Sequence, residues 1–129
     1  MINQPDQDVY DAIYRACLSN GYTVADNPEK ELTVPFVDIG VIEIIPNPTK
    51  TGLKGSVIAY FNVYGDWTQR KRVSDIASNI LRDLSKLNYT QGGYRIGIEY
   101  RETSVAVRRD VHPNSENWVA DVRTHFNLY

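Results

Sequence analysis

Apolar residues recur every three or four positions in two stretches of this chain, and each stretch predicts an amphipathic helix. The first covers about residues 6–20, with Asp6 as its N-cap and Gly21 just past its end, where a left-handed backbone is easily adopted. The second covers about residues 67–87, opened by Asp66 with Gln69 three positions later, as in a capping box. The two apolar stripes are Val9, Ala12, Ile13, Ala16, Cys17 and Val73, Ile76, Ala77, Ile80, Leu84, Leu87.

Elsewhere the pattern alternates with the period of a β-strand. Strands are predicted at about residues 22–24, 34–45, 56–64, 94–107 and 118–128, with Pro46 and Pro48 ending the second of them. Residues 49–55 are predicted as a mobile loop and residues 110–117 as a turn. The alternation changes phase between Tyr100 and Val105, which predicts a bulge or bend, because a one-residue slip turns every side chain to the other face.

This order, α-β-β-β-α-β-β, predicts one α+β domain over residues 1–129. We expect a mostly antiparallel sheet of about four to five strands, with both helices packed on one face. In the strand at 56–64, the face expected to meet the helices carries Val57, Ala59, Phe61 and Val63. The opposite face carries Ser56, Ile58, Tyr60, Asn62 and Tyr64. That second face is too rich in aromatic side chains for plain exposure to water, which predicts a contact surface.

The composition narrows the class of protein. The chain of 129 residues suits one domain, and its single cysteine excludes an intrachain disulfide and a four-cysteine zinc site. The first residues lack the features of a signal peptide, and the longest purely apolar run, residues 57–61, is too short to cross a bilayer. A net charge of −2 argues against broad, non-specific binding to nucleic acid. We therefore expect a protein of a reducing cytosol with no membrane partner.

The charges are distributed unevenly along the chain. Residues 1–47 carry eight acids and two bases, a net charge of −6, whereas residues 48–129 carry twelve bases and eight acids, a net charge of +4. One interpretation is that an acidic surface of one subunit meets a basic surface of another, a heterologous contact that can close into a ring. The other is that folding interleaves the two segments and leaves no dipolar surface.

Few residues in this sequence fit a catalytic or metal site. There is no glycine-rich phosphate loop ahead of a helix and no Gly-x-Ser-x-Gly motif. Cys17 lies on an apolar helix stripe, which favours packing over nucleophilic chemistry. His112 falls in a predicted turn and His125 on the more polar face of the last strand, and their spacing does not indicate a metal site. We predict no enzymatic activity, no cofactor and no metal.

Basic side chains form two short clusters. Arg70, Lys71 and Arg72 open the second helix, where positive charge opposes the helix dipole, and Arg108 and Arg109 form the second cluster. Each cluster is interpreted either as a solvated face or as a partner site, and two clusters facing one cavity would line a channel that admits nucleic acid. The candidate interface residues are Lys50, Lys54, Tyr60, Asn62, Tyr64, Arg70, Arg72, Arg108 and Arg109.

The order of several segments resembles one protein family. The segments are the helix start at residues 8–13, the strands at 34–40 and 58–64, the Arg-rich helix at 69–77, and a strand holding Arg101-Glu102-Thr103 and closing in Arg109-Asp110. In this order and spacing the chain resembles the tail terminator proteins of long-tailed, siphovirus-type bacteriophages, also called tail completion or tail-to-head joining proteins. The resemblance spans nearly the whole chain.

The resemblance implies a structural role in the virion. Such a protein forms a six-fold ring that caps the finished tail tube, ends its growth and offers a surface to the head connector. The implied partners are further copies of the chain, the tail tube protein and the head-connector or neck protein, with DNA only passing through the ring lumen. The implied location is the head-proximal end of the tail, after assembly in the host cytoplasm. No catalytic residue is implied.

Three alternatives remain open from the sequence. A neck or head-completion protein of a phage belongs to the same structural class. A small nucleic-acid-binding or regulatory α+β module would show a continuous basic sheet face, against which the acidic first third of the chain argues. A small hydrolase or transferase would show a cleft with convergent polar side chains.

Overall fold

Two helices and a five-stranded antiparallel sheet make up the described part of the chain. The structure is a computed structural model that describes residues 4–25, 33–49, 52–113 and 115–129, with the backbone alone at 47–49 and 52–54. The helices are α1 (Pro5–Ser19) and α2 (Arg70–Ser85). The strands are β1 (Phe36–Thr49), β2 (Gly52–Asp66), β3 (Ile96–Ile98), β4 (Ser104–His112) and β5 (Ser115–Leu128). A single turn of 3₁₀ helix, Tyr100–Glu102, separates β3 from β4.

Strand β5 organises the sheet, although it is the last element. It pairs with β2 along one side, from Gly55–Leu128 to Asp66–Asn117, and with β3 and β4 along the other. Strand β1 pairs with the outer side of β2, so the strand order is β1-β2-β5, followed by β3 and β4 at different heights. All these pairings are antiparallel. Strands β1 and β4 therefore lie at opposite borders of the sheet.

Both helices pack on the same face of the sheet, as predicted. The alternating residues of β2 assigned to that face, from Val57 to Val63, are all buried. Those of β5 from Ala120 to Leu128 are buried as well, and Phe61 and Phe126 are the two largest fully buried side chains. Burying one such side chain contributes about 1.5–3 kcal/mol. The helices add Val9, Ile13, Ala16, Cys17, Val73, Ile76, Ala77, Ile80 and Leu84 to the same cluster. The predicted fold class is confirmed.

Helix α1 begins one residue earlier than predicted. Pro5 occupies the first turn, where its missing N–H has no helical partner to lose, and Gln4 is the N-cap in place of Asp6. Asp8 points inward: its Oδ2 accepts hydrogen bonds from Thr90 Oγ1 at 2.7 Å and from the Gly92 N–H at 3.0 Å. This carboxylate ties the first turn of α1 to the loop before β3.

Helix α2 begins at Arg70, three residues later than predicted. Asp66 accepts from the N–H of Thr68 at 2.9 Å and from its hydroxyl at 2.6 Å, which forms a turn ahead of the helix. Gln69 Oε1 accepts from the Asp66 N–H at 2.8 Å, so half of the expected capping box is present. Gln69 is itself the N-cap and makes no side-chain capping bond.

The strands differ from the prediction in position. Residues 22–24 contribute one isolated parallel bridge, between Val24 and Val37, and the predicted strand at 94–107 is divided by the 3₁₀ turn at the expected break. The element order is therefore α-β-β-α-β-β-β. Strand β1 continues past Pro46 and Pro48, because a border strand pairs on one side only, and a residue that lacks an N–H costs no hydrogen bond on the unpaired side. The connections at 49–55 and 110–117 are shorter than predicted: both are hairpins, and they leave only residues 50–51 and 113–114 between strands, so the predicted long loop is wrong and the predicted turn is confirmed in position but not in length.

Candidate interaction surfaces

The face of the sheet that carries no helix, called the open face below, presents the predicted aromatic residues of β2. Tyr60 is 38% exposed, and Asn62 and Tyr64 are half-buried beside it. The Tyr64 ring stacks on Phe36 of β1, with centroids 5.1 Å apart. Ile58 and Val119 are buried on this face although no helix covers it. The open face therefore has an apolar floor under an aromatic surface.

Charged side chains surround these tyrosines in paired form. Arg108 of β4 contacts Asp121 at 2.6 Å and Asp110 at 3.6 Å, and the bond to Asp121 raises the pKa of Arg108. Arg123 of β5 contacts Glu102 at 3.3 Å, and its hydrogen bonds to Tyr60 and then to Glu102 raise its pKa. The open face is thus a polar and aromatic surface without a single dominant charge.

Tyr64 differs from Tyr60 in its surroundings. Burial raises the pKa of Tyr64, and the negative charges of Asp38, Asp121 and Asp110 raise it further, against the opposing effect of Arg108. The phenol therefore stays neutral at physiological pH and can donate or accept a hydrogen bond. It is placed to act as a packing residue of the sheet as much as a contact residue.

The sheet separates the two adjacent arginines of β4. Arg108 points to the open face, opposite Val119, whereas Arg109 points to the helix face, opposite Trp118. The predicted single basic spot at 108–109 is therefore wrong, since neighbouring strand residues point to opposite sides.

Arg109 joins a cluster that includes the start of α2. The guanidinium of Arg109 lies 5.9 Å from the centroid of the Trp118 ring, and that of Arg70 lies 5.3 Å from the same ring. Arg109 also forms an ion pair with Glu116. Trp118 Nε1 donates to the carbonyl of Trp67 at 3.0 Å, and the Trp67 side chain is 69% exposed. Two arginines therefore meet on the Trp118 ring, next to the exposed Trp67 and to the border strand β4.

Arg72, the other helix-start arginine, points elsewhere. Its guanidinium lies 5.8 Å from the centroid of Tyr22, whose hydroxyl accepts from Asn79 at 2.9 Å. Lys71 points to water and pairs with Asp75 at 3.0 Å. The three successive bases therefore diverge and do not form one patch. Of the two loop lysines, Lys50 lies outside the described residues, and only the backbone of Lys54 is described, paired with Asn47.

The cysteine and the two histidines are the side chains best suited to nucleophilic or acid–base chemistry, and each lies among structural neighbours. Cys17 is fully buried, and burial raises the pKa of its thiol to about 12. His125 contacts Ser56 Oγ at 2.9 Å on the open face, and His112 contacts Asp110 at 3.2 Å. Across the described ranges, no three His, Cys, Asp or Glu side chains are grouped as metal ligands, and no helix is long and apolar enough to span a bilayer.

A groove of about 360 Å³ opens between the end of α1 and the end of α2. Its floor is apolar, with Ala12, Ala16, Leu84 and Leu87, and Arg15, Asp83 and Lys86 stand at its rim. None of the predicted interface residues lies in it. Its shape suits an apolar side chain of a partner better than a reacting substrate, because its polar groups do not converge on one point.

The sequence did not single out Trp67 and Trp118. Their signal was present: Trp118 begins the alternation of β5, and Trp67 directly follows the end of β2. Exposed tryptophan and arginine are the residue types that dominate binding energy at protein interfaces.

The overall fold is shared with a chain in the virion of a native gene transfer agent particle. The two chains superpose with a TM-score of 0.66 and 15% sequence identity, and the match covers 97% of this chain and 95% of the other. At this identity the similarity establishes a common fold. No protein-family model matches the sequence, and no curated protein matches it.

Proposed function

We propose that this chain is a structural virion protein, and specifically a phage tail terminator. The observation that carries the proposal is the end-to-end fold similarity to a chain of a gene transfer agent virion. The order of sequence segments that resembles tail terminators supports the same role. Both similarities span nearly the whole chain.

In this role, copies of the chain form a six-fold ring on the finished tail tube. The ring ends tube growth and offers its other side to the head connector, with DNA passing only through the lumen. The fold supplies the surfaces that such a joint requires, since the helices cover one face of the sheet and leave the other face and both borders available. The aromatic side chains of the open face, Tyr60 above all, are suited to contact with a neighbouring protein.

The proposal includes the absence of enzymatic activity. This part of the proposal is supported by the surroundings of the side chains that a catalytic site would need. The thiol of Cys17 is buried among apolar neighbours, and a thiol with a pKa of about 12 is not a nucleophile at neutral pH. The Nε2 of His125 contacts Ser56 Oγ at 2.9 Å, but the buried Nδ1 has no hydrogen-bond partner among the described residues, so no carboxylate orients the ring as in a catalytic triad.

The first test is the mass of the assembly. Light scattering after size exclusion, over a wide concentration range, with negative-stain images of the heaviest fraction, is expected to show six-fold rings. Tyr60→Ser is the informative variant for the open face, because the side chain is exposed enough to be removed without opening the core. A compact closed dimer at every concentration would contradict the ring and favour a regulatory module.

A second test separates a tail terminator from a neck protein. Purified chain is added to tail tube protein from the same genome while the tubes are growing. A terminator is expected to bind tube ends and shorten the length distribution, whereas a neck protein would leave tube length unchanged.

A further inference from the structure

One border of the sheet carries a basic and aromatic surface, which we call the basic border. It is formed by Trp67, Arg70, Arg109, Val111 and Trp118. Val111 points to the same side as Arg109 and is 64% exposed. Arg70 makes no ion pair with any residue that the structure describes, and it stands at the start of a helix, where its charge is unfavourable. The basic border therefore combines a positive charge that has no ion-pair partner among the described residues with exposed apolar area.

The opposite border carries a surface of the other sign, which we call the acidic border. It is formed by Asp6, Gln7, Tyr10 and Asp11 of α1 and by the bulge of β1 at Gly40 and Val41. Asp6, Gln7 and Tyr10 line a groove of about 240 Å³ with Gly40 and Ile42. Val41 projects beside the groove and is 68% exposed. Arg15, the one base of α1, follows Asp11 by one helical turn, and its Nε donates to the Asp11 carbonyl at 3.3 Å while the side chain also lines the groove with Asp83 and Lys86.

We propose that the basic border of one copy of this chain binds the acidic border of the next copy. The proposal rests on the proposed function, in that it names the surfaces through which the ring would form. Two guanidiniums against the carboxylate of Glu116 leave the basic border at +1, and Asp6 and Asp11 against the guanidinium of Arg15 leave the acidic border at −1. Each border also offers exposed apolar area to the other, Trp67 and Val111 on one side and Val41 on the other.

The placement of the two borders makes the contact head-to-tail. Strands β1 and β4 lie on opposite sides of the sheet, with β2 and β5 between them, so one copy cannot use both borders on the same neighbour. A contact between unlike surfaces leaves one free border at each end of every oligomer, and only closure into a ring satisfies all of them. A closed two-fold dimer would instead require one surface to match itself.

The bulge in β1 indicates how a neighbour would bind at this border. It favours contact through side chains and disfavours the addition of a further strand to the sheet. The register of β1 on β2 shifts between Ile39 and Ile42, which breaks the regular edge that another strand would need. An ideal Cβ at position 40 would lie 3.3 Å from the carbonyl oxygen of Tyr60, so glycine allows this close approach. The acidic border therefore presents side chains and a groove, and the neighbour's arginines and Trp67 are the groups that fit it.

The test uses two variants of the full chain, each with one border reversed in charge. Variant one is Arg70→Glu with Arg109→Gln, which leaves Glu116 unpaired and brings the basic border to −2. Variant two is Asp6→Lys with Asp11→Lys, which together with Arg15 brings the acidic border to +3. The matched control, Arg82→Glu with Lys86→Glu, changes charge at the far end of α2. Circular dichroism and urea unfolding check that each variant folds, and sedimentation velocity measures the assembly.

Each variant alone is expected to need at least about a hundredfold higher concentration to assemble, because like charges then face each other. An equimolar mixture of the two variants is expected to assemble again, since every border then finds the opposite sign on its neighbour. The control is expected to behave as the unaltered chain does. Restoration in the mixture is a result that loss of folding cannot imitate.

Two results would overturn the proposal. If both variants form rings as the unaltered chain does, the border contact is wrong and the subunits of the ring bind through another surface. That result leaves the proposed function intact. If the unaltered chain stays monomeric at every concentration and the mixture does too, the border contact is wrong as a self-contact. A closed dimer of the unaltered chain would instead count against the proposed function itself.

Discussion

At the scale of single residues, Asp8 is the most consequential polar side chain in this fold. It is 2% exposed, and its carboxylate holds Thr90 and Gly92 from 82 and 84 residues away. Thr90 is also buried and uses its hydroxyl oxygen to accept from the Tyr94 N–H at 3.0 Å. The carboxylate therefore organises the loop that leads into β3.

Replacing Asp8 with Ala is expected to lower the free energy of unfolding by about 2 kcal/mol, because two hydrogen bonds to a charged group are lost and Thr90 is left with an unmatched donor. Urea unfolding measures the change. The control is Asp11→Ala in the next turn of the same helix, a half-buried residue whose carboxylate accepts one hydrogen bond, from the Gln7 side chain at 3.0 Å, and it is expected to change stability by less than about 0.5 kcal/mol. Equal effects of the two substitutions would show that the Asp8 bonds contribute nothing special.

A substitution at Gly92 tests the contact between the Asp8 carboxylate and the loop before β3 from the side of the loop. A Cβ at this position would overlap Asp8 Oδ2, which is held in place by its bonds. Gly92→Ala is therefore expected to destabilise the unaltered chain more than it destabilises the Asp8→Ala variant. A double-mutant cycle from urea unfolding gives the coupling, and additive effects would contradict the overlap.

Because the Cys17 thiol is buried, we expect the stability of the protein to depend on pH in the alkaline range. Burial raises its pKa from 9.0 to about 12, so the unfolded chain loses this proton before the folded chain does. The contribution of this thiol to stability is fully present below about pH 9. Between about pH 9 and pH 12 it is lost, and the free energy of unfolding falls by up to about 1.4 kcal/mol per pH unit.

The measurement is urea unfolding at several pH values above 8, compared with Cys17→Ala. Other groups that ionise in this range, including Tyr64, act in both proteins, so the difference in slope isolates the thiol. Parallel pH profiles for the two proteins would show that the thiol is ionised equally in both states.

At the scale of elements, the open face divides its tyrosines between packing and contact. Tyr64 joins β2 to β1 through its stack with Phe36, and it pairs across β2 and β5 with the buried Val119. Tyr60 lies four residues away in the same strand and is more exposed. Neighbouring positions on one face therefore have different roles.

Tyr64→Ser is expected to lower the free energy of unfolding by about 2 kcal/mol, since an aromatic pair and its buried area are both lost. Tyr60→Ser is expected to lower it by less than about 1 kcal/mol, because that side chain is already partly in water. Urea unfolding of the two variants side by side makes the comparison. If Tyr60→Ser is the more damaging substitution, the assignment of roles is reversed.

At the scale of the whole molecule, the two borders of the sheet carry different charges. Asp6 of α1 lies beside β1 at one border, whereas Arg109 lies on β4 at the other, with Arg70 next to it on the Trp118 ring. Arg72 and Lys86 of α2 lie instead beside Tyr22 and the groove next to α1. The strands between them keep these surfaces apart within one copy. Charge that is not neutralised inside the molecule is then available to a neighbour.

Self-association is therefore expected to weaken with salt. Raising sodium chloride from about 0.1 M to about 1 M shortens the Debye length from about 10 Å to about 3 Å, and we expect at least about a tenfold rise in the concentration needed for assembly. Sedimentation velocity at several salt concentrations measures this. Assembly that strengthens with salt would indicate an interface dominated by apolar burial, against the border contact.

Much of this fold followed from local pattern. The stripes of both helices and the inward faces of β2 and β5 were predicted residue by residue, because burial of one face imposes a period that the sequence must carry. The ends of the elements were less well predicted. Pro46 and Pro48 were taken to end β1, yet a border strand tolerates them, and no local pattern shows that a strand lies at a border.

Local pattern in the sequence specifies the α+β class, the buried side of each element, the packing of Cys17 and the uneven distribution of charge. The pairing of β5 with β2, the divergence of Arg108 and Arg109, and the meeting of Arg70 and Arg109 on the Trp118 ring emerge at the tertiary level alone. The reason is physical. Periodicity acts within an element, whereas a surface is made where distant elements meet, and their pairing and register are set by packing across the whole sheet.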